Sequence, residues 1–172
     1  MAPSNLPTRP TTDFAKEGLF NMLQSRLDAD YSEMDALDLF FFFLNITYEF
    51  ASRGMRSVTS VEIDFKCYEF IQKSLAKFDL KQCRIIRNDV FLFLKICKIK
   101  FDLIFADPPY EMPNISKIHS LVIERDLLKP GGLLIIEHGS KTKLNQLAHF
   151  IEARNYGNVH FSIFKIDEQP AK

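Results

Sequence analysis

Between Ala36 and Glu137 five short apolar runs alternate with four segments of helical spacing. The runs are 36–41, 57–62, 83–87, 101–106 and 133–137, and the segments between them are 45–53, 65–78, 90–97 and 118–128. Strands without hydrophobic and polar alternation are buried on both faces, and helical crossovers between such strands impose parallel pairing. The pattern predicts an α/β, Rossmann-like, doubly wound and mostly parallel sheet. Lys129-Pro130-Gly131-Gly132 reads as the turn that ends one helix and opens the next strand.

The flanks complete this frame. Residues 1–11 carry Pro3, Pro7 and Pro10 and read as an extended segment. Thr12 or Asp13 then caps a helix whose apolar stripe is Phe14, Leu19, Phe20, Met22, Leu23 and Leu27. Residues 28–35 read as an acidic loop. A short helix is expected around Leu144, followed by strands 149–154 and 159–165 joined by a turn over Asn155-Tyr156-Gly157-Asn158. That loop is too short for a crossover, so the last two strands are antiparallel. No repeat, linker or second domain is visible, and the expectation is one domain over 1–172.

Composition narrows the class. Hydrophobic residues are 47% and charged residues 26%, which excludes disorder. Seventeen Phe and no Trp fit buried apolar strands. Lys plus Arg and Asp plus Glu are 22 each, so the chain lacks the net positive charge that drives nonspecific nucleic-acid binding. The longest apolar run, Leu37 to Leu44, is too short to cross a bilayer, and the first residues lack the pattern of a signal peptide. A cytoplasmic location without membrane contact is expected. Cys67, Cys83 and Cys97 have no paired spacing and read as reduced thiols, with no metal site.

In a doubly wound sheet, ligands bind beyond the carboxyl ends of the strands near the switch point. Asp107-Pro108-Pro109-Tyr110 follows the strand 101–106 at such an end. As a bare motif this is a turn, since Asp and Pro are common turn residues. At that position it also suits an amine nucleophile. A nucleobase amine is weakly nucleophilic because its lone pair is delocalised into the ring. A carboxylate and a proline-fixed carbonyl that accept its two hydrogens pull the nitrogen toward tetrahedral geometry, and positioning does the rest. The Tyr110 ring is suited to stack on an extruded base.

Val61-Glu62-Ile63-Asp64 ends the second run, where an acid commonly holds the ribose of an adenosine-containing cofactor. Glu62 stands 24 residues after Asp38 of the first run, a spacing that suits a cofactor crossing two strand ends. Asn88-Asp89 ends the third run and serves the adenine edge, the N-cap of the helix at Val90, or both. Glu137-His138 marks the rim. Arg9-Pro10-Thr11-Thr12-Asp13 is a helix entry or, through Arg9, a clamp for a carboxylate or phosphate.

In that order, Arg9 to Asp13, Glu17-Gly18-Leu19-Phe20-Asn21, Leu37-Asp38-Leu39-Phe40, Val61-Glu62, Asn88-Asp89 and Asp107 to Tyr110 resemble one family. It is the bacterial 16S rRNA guanine-N2 methyltransferase family, type D, and the resemblance runs from about Leu6 to Lys165. The resemblance implies a seven-stranded class I methyltransferase, S-adenosylmethionine as cofactor and a monomeric enzyme. Its implied substrate is the N2 amine of a guanine in 16S ribosomal RNA or an assembling small subunit. Asp107, Pro108 and Tyr110 would be catalytic. Thr11, Thr12, Asp38, Asn45, Glu62, Ile63, Asn88, Asp89 and Asp107 would bind the cofactor.

Two departures set further expectations. Only Met1 to Pro7 precede the Arg9 segment, where the family carries a short basic strand pair. Phe42 and Leu44 stand where the family has glycines that bring bare backbone to the cofactor, so weak or lost cofactor binding is expected. Two alternatives share these residues: a DNA amino-methyltransferase, and a cofactor-incompetent relative that binds RNA or the ribosomal subunit.

Overall fold

The computed structural model describes residues 13–27, 30–41 and 45–167. The helices are α1 (Asp13–Arg26), α2 (Asn45–Ser52), α3 (Phe65–Lys77), α4 (Val90–Ile96) and α5 (Ser116–Glu124). The strands are β1 (Asp35–Leu39), β2 (Ser57–Glu62), β3 (Cys83–Arg87), β4 (Phe101–Ala106), β5 (Leu128–His138), β6 (Phe150–Tyr156) and β7 (Val159–Lys165). They form one seven-stranded sheet in the order β3-β2-β1-β4-β5-β7-β6. The first five strands pair in parallel, and β7 pairs antiparallel with both β5 and β6.

Alternation along the central strands fills two cores. Ala36, Leu103, Phe105, Leu133 and Ile135 pack on one face with Leu19, Phe20 and Leu23 of α1 and Ile46 and Phe50 of α2. Leu37, Leu39, Ile104, Ala106, Leu134 and Ile136 pack on the other with Leu94 of α4 and Ile118 and Val122 of α5. Each such Leu, Ile or Phe contributes about 1.5–3 kcal/mol on burial. At the amino end, Lys129 Nζ reaches Asp102 Oδ2 (2.6 Å) and Asp35 Oδ2 (3.0 Å), and Arg56 pairs with Asp35.

Several boundaries differ from the sequence reading. Helix α5 ends at Glu124 rather than Leu128, with Asp126 in the left-handed region at φ 52°. Lys129-Pro130-Gly131-Gly132 is therefore no helix-ending turn but part of β5, beside a register shift against Phe101–Leu103. Lys129 is held there by its two carboxylates, a tertiary contact with no local signal. Strand β1 stops at Leu39 because Phe40 turns left-handed at φ 61°. Residues 30–35 are not a simple loop: Asp30 caps a 3-10 turn, Tyr31–Glu33, and Asp35 already lies in β1.

Leu144 is buried but lies in no helix. In the hairpin only Gly157 and Asn158 form the turn, and Asn155 and Tyr156 belong to β6. His149 precedes that strand at φ 63°. Phe14 is exposed rather than part of the α1 stripe, and its ring meets Tyr156 edge-on at 5.7 Å. The three cysteines are free thiols, Cys67 and Cys97 buried. Among the described residues no helix is long and apolar enough to cross a membrane, and no group of His, Cys, Asp and Glu could hold a metal ion.

Candidate active site

The order of strands reverses between β1 and β4, so the chain leaves β1 for α2 on one face and β4 for α5 on the other, the place where such a sheet forms its groove. Asp38 occupies the end of β1, Glu62 the end of β2, Asp107 follows β4, and Glu137 lies near the end of β5. The backbone ties these ends together. Asp107 N donates to Leu39 O (3.2 Å), Phe41 N to Val61 O (3.5 Å) and Asn88 N to Glu62 O (3.1 Å).

Asp38 is almost wholly buried. Its Oδ2 accepts a 2.7 Å hydrogen bond from the Thr47 hydroxyl of α2, and that hydroxyl lies 2.7 Å from Ser60 Oγ of β2. Burial pushes the Asp38 carboxyl up to about 7, Thr47 opposes the shift and the charge of Glu62 adds to it. Glu62 is also buried and raised by burial, while its Oε1 accepts from Asp64 N at 2.7 Å. Asp64 in turn caps α3 by accepting from Cys67 N. Ile63, between them, is 59% exposed and offers an apolar surface beside the Glu62 carboxylate.

Asp89 accepts from Leu92 N at 2.9 Å, so the capping role read from the sequence holds. Asn88 and Asp89 are half-buried beside Glu62.

In the Asp107 to Tyr110 corner, Pro108 is buried and Pro109 exposed. Pro109 O accepts from Met112 N at 2.8 Å, which closes a turn and directs Tyr110 back across the sheet. The Tyr110 hydroxyl donates to Glu137 Oε1 at 2.7 Å while the ring stays 40% exposed. The Asp107 carboxyl is raised well above the ordinary range by burial first, then by the charges of Glu137 and Asp38. Four carboxyls thus lie at the carboxyl ends of β1, β2, β4 and β5, three of them raised mainly by burial.

Residues 1–165 match the family model described as conserved hypothetical protein 95. The ribosomal RNA small subunit methyltransferase D of Buchnera aphidicola subsp. Baizongia pistaciae is 31% identical over 139 residues, covering 81% of this chain and 68% of that protein. Its counterpart in Haemophilus influenzae is 32% identical over 133 residues, covering 75% and 67%. The chain belongs to this methyltransferase family. A Thermus thermophilus 16S rRNA N2 guanine methyltransferase, solved with AdoMet and guanosine, shares the fold. It has a TM-score of 0.72 at 22% identity and covers 95% of this chain and 44% of that one.

In this methyltransferase the structure gathers Asp38, Glu62, Ile63, Asn88, Asp89, Asp107, Pro108 and Tyr110 at the carboxyl edge of one sheet. Thr11 and Thr12 lie outside the described residues, as do Phe42 and Leu44. Asn45 opens α2. Of the Phe41 to Leu44 run, Phe41 is buried against Cys67, Ile71 and Leu75. Three residues escaped the sequence reading. Thr47 and Ser60 are single hydroxyls in apolar segments and carry no motif. Gly139 follows Glu137-His138, and a Cβ there would stand 3.3 Å from the Tyr110 ring.

Proposed function

We propose that this chain transfers a methyl group from S-adenosylmethionine to the exocyclic N2 amine of a guanine in small-subunit ribosomal RNA. The observation that carries the reading is the Asp107-Pro108-Pro109-Tyr110 corner, set beside Asp38 and tied by Tyr110 to Glu137. Family membership supports ribosomal RNA as the substrate class.

The donor set suits the cofactor. Glu62 is a buried acceptor for ribose hydroxyls, Ile63 an apolar flank for the adenine ring, and Asp89 an acceptor near its edge. A cation beside Asp38 and Asp107 favours their ionised forms and relieves the crowding that raises them. S-adenosylmethionine, when bound, supplies an electrophilic methyl group on a sulfonium cation.

The protein's part is positioning. Tyr110 stacks on the extruded base. The Asp107 carboxylate and the Pro108 carbonyl each accept one amine hydrogen, which aims the nitrogen lone pair into the groove. The raised affinity of Asp107 for a proton suits it to take the one the amine sheds.

Phe42 and Leu44 carry a second part of this reading, weakened cofactor binding. Two residues before Phe42, Phe40 is left-handed at φ 61°, a conformation that costs a non-glycine residue about 1–2 kcal/mol. Calorimetry with S-adenosylmethionine on the parent chain and on Phe42→Gly/Leu44→Gly tests it. Tight binding by the parent, unchanged in the variant, removes this part.

The main test incubates the chain with labelled S-adenosylmethionine and unmethylated small ribosomal subunits, then resolves the nucleosides by mass spectrometry. N2-methylguanosine is expected. Label in N6-methyladenosine or in duplex DNA, or none with either substrate, overturns the assignment.

A further inference from the structure

The loop that follows β5 begins under the base platform. Gly139 lies against the Tyr110 ring, so closely that a Cβ would stand 3.3 Å from Cδ2 and 3.7 Å from Cγ. Thr142 N donates to Gly139 O at 3.2 Å, closing a tight turn with Ser140 and Lys141 at its corners. The loop is anchored at both ends. His138 is buried, with Nε2 2.8 Å from Ser162 Oγ of β7, and Leu144 is buried in the core on the far side.

Its charge is one-sided. From His138 to Ile151 the sequence has no Asp or Glu, while Lys141 and Lys143 are exposed. Burial holds the His138 imidazole below its usual range, and His160 and then Lys143 add to the shift. Glu137 and Asp107 lie inward, while Lys141 and Lys143, with Glu111 beside Tyr110, lie outward. The chain as a whole has no net charge, so any attraction to phosphates must come from local cations such as these.

We infer that the Ser140–Lys143 turn is a grip for the RNA backbone, its two lysines meeting phosphates that flank the nucleotide stacked on Tyr110. A base drawn out of its helix brings its own phosphates within a side chain's reach of the platform that receives it. Non-sequence-reading proteins hold such strands by pairing an aromatic platform with adjacent cations. The grip rests on the proposed ribosomal RNA reading and extends it by naming the contact that sets substrate affinity. Ser140 and Thr142 add hydroxyl donors for phosphate oxygens.

The experiment measures kcat/KM on unmethylated small ribosomal subunits across a salt series. It compares the parent, Lys141→Ala/Lys143→Ala, Lys141→Arg/Lys143→Arg, and the control Lys73→Ala/Lys95→Ala from exposed positions on α3 and α4. Each lost phosphate contact lowers the slope of log affinity against log salt by about 0.7 for a single strand. The alanine pair should flatten the slope by about 1.4 and raise KM, with kcat at saturating substrate and calorimetric cofactor affinity held. The arginine pair should restore the parent slope. An alanine pair that matches the parent, or a control pair that flattens the slope equally, overturns the grip alone. A parent chain that methylates no subunit at all, while binding cofactor, overturns the reading beneath it.

Discussion

The Tyr110 hydroxyl and the Glu137 carboxylate are joined by a 2.7 Å hydrogen bond that spans the end of β5 and the loop after β4. Glu137 is buried, so the bond fixes the ring's tilt from a rigid base, while Gly139 leaves room for its flat face. Two strands thus determine one aromatic plane. Tyr110→Ala should lower methyl transfer by about 5- to 150-fold, matching the 1–3 kcal/mol of a base–aromatic stack. Tyr110→Phe keeps the stack and loses the anchor, so it should fall between. Steady-state assays on small subunits measure both, and calorimetry should find cofactor affinity unaltered.

Gly139→Val tests the same plane from below. The added carbons must push the Tyr110 ring, which meets the Cβ position at 3.3 Å. Expected is a lower kcat with little change in melting temperature, because the displaced ring is part exposed and lies outside the core. Equal activity with an intact fold removes the packing argument.

Asp107→Asn should reduce kcat by about 10- to 150-fold, the worth of a charged hydrogen-bond acceptor at 1.5–3 kcal/mol. It should also stabilise the cofactor-free protein near neutral pH, since an amide need neither bury a charge nor take up a proton on folding. A melting temperature that rises as activity falls is the diagnostic pair.

Asp38 makes stability depend on pH. Its folded value of about 7 lies above the ordinary 3.8, so the native state holds its proton more tightly than the unfolded chain does. The stabilisation from that proton is complete below about pH 4 and is lost as pH rises through 7. His119 and His138, lowered chiefly by burial, act in the opposite sense as pH falls through their usual range. The difference between parent and Asp38→Asn isolates the aspartate. In thermal melts without cofactor, the asparagine variant should gain on the parent between pH 5 and pH 8. A constant difference across that range contradicts the buried proton.

Thr47→Val deletes the hydroxyl that Asp38 and Ser60 share. Leaving a buried carboxyl without this donor costs about 1–3 kcal/mol. Denaturant unfolding should show that loss, and Thr47→Ser should recover most of it.

The succession of apolar runs and helical segments determined the parallel sheet, since strands buried on both faces and joined by helices have few other arrangements. Strands β2, β3 and β4 end where their apolar runs end, and the acids Glu62, Asp89 and Asp107 stand at or just beyond those ends, legible as a site because ligands gather there. What tertiary structure decided lies in contacts between residues far apart in the chain. Lys129 extends β5 through a Pro-Gly-Gly stretch because Asp35 and Asp102, 94 and 27 residues away, hold its ammonium. Glu137 acquires its partner from a loop 27 residues earlier, and Asp38 its raised proton affinity from burial beneath α2. Local sequence encodes backbone preference and burial, but the orientation and charge state of a side chain depend on neighbours that only folding brings together.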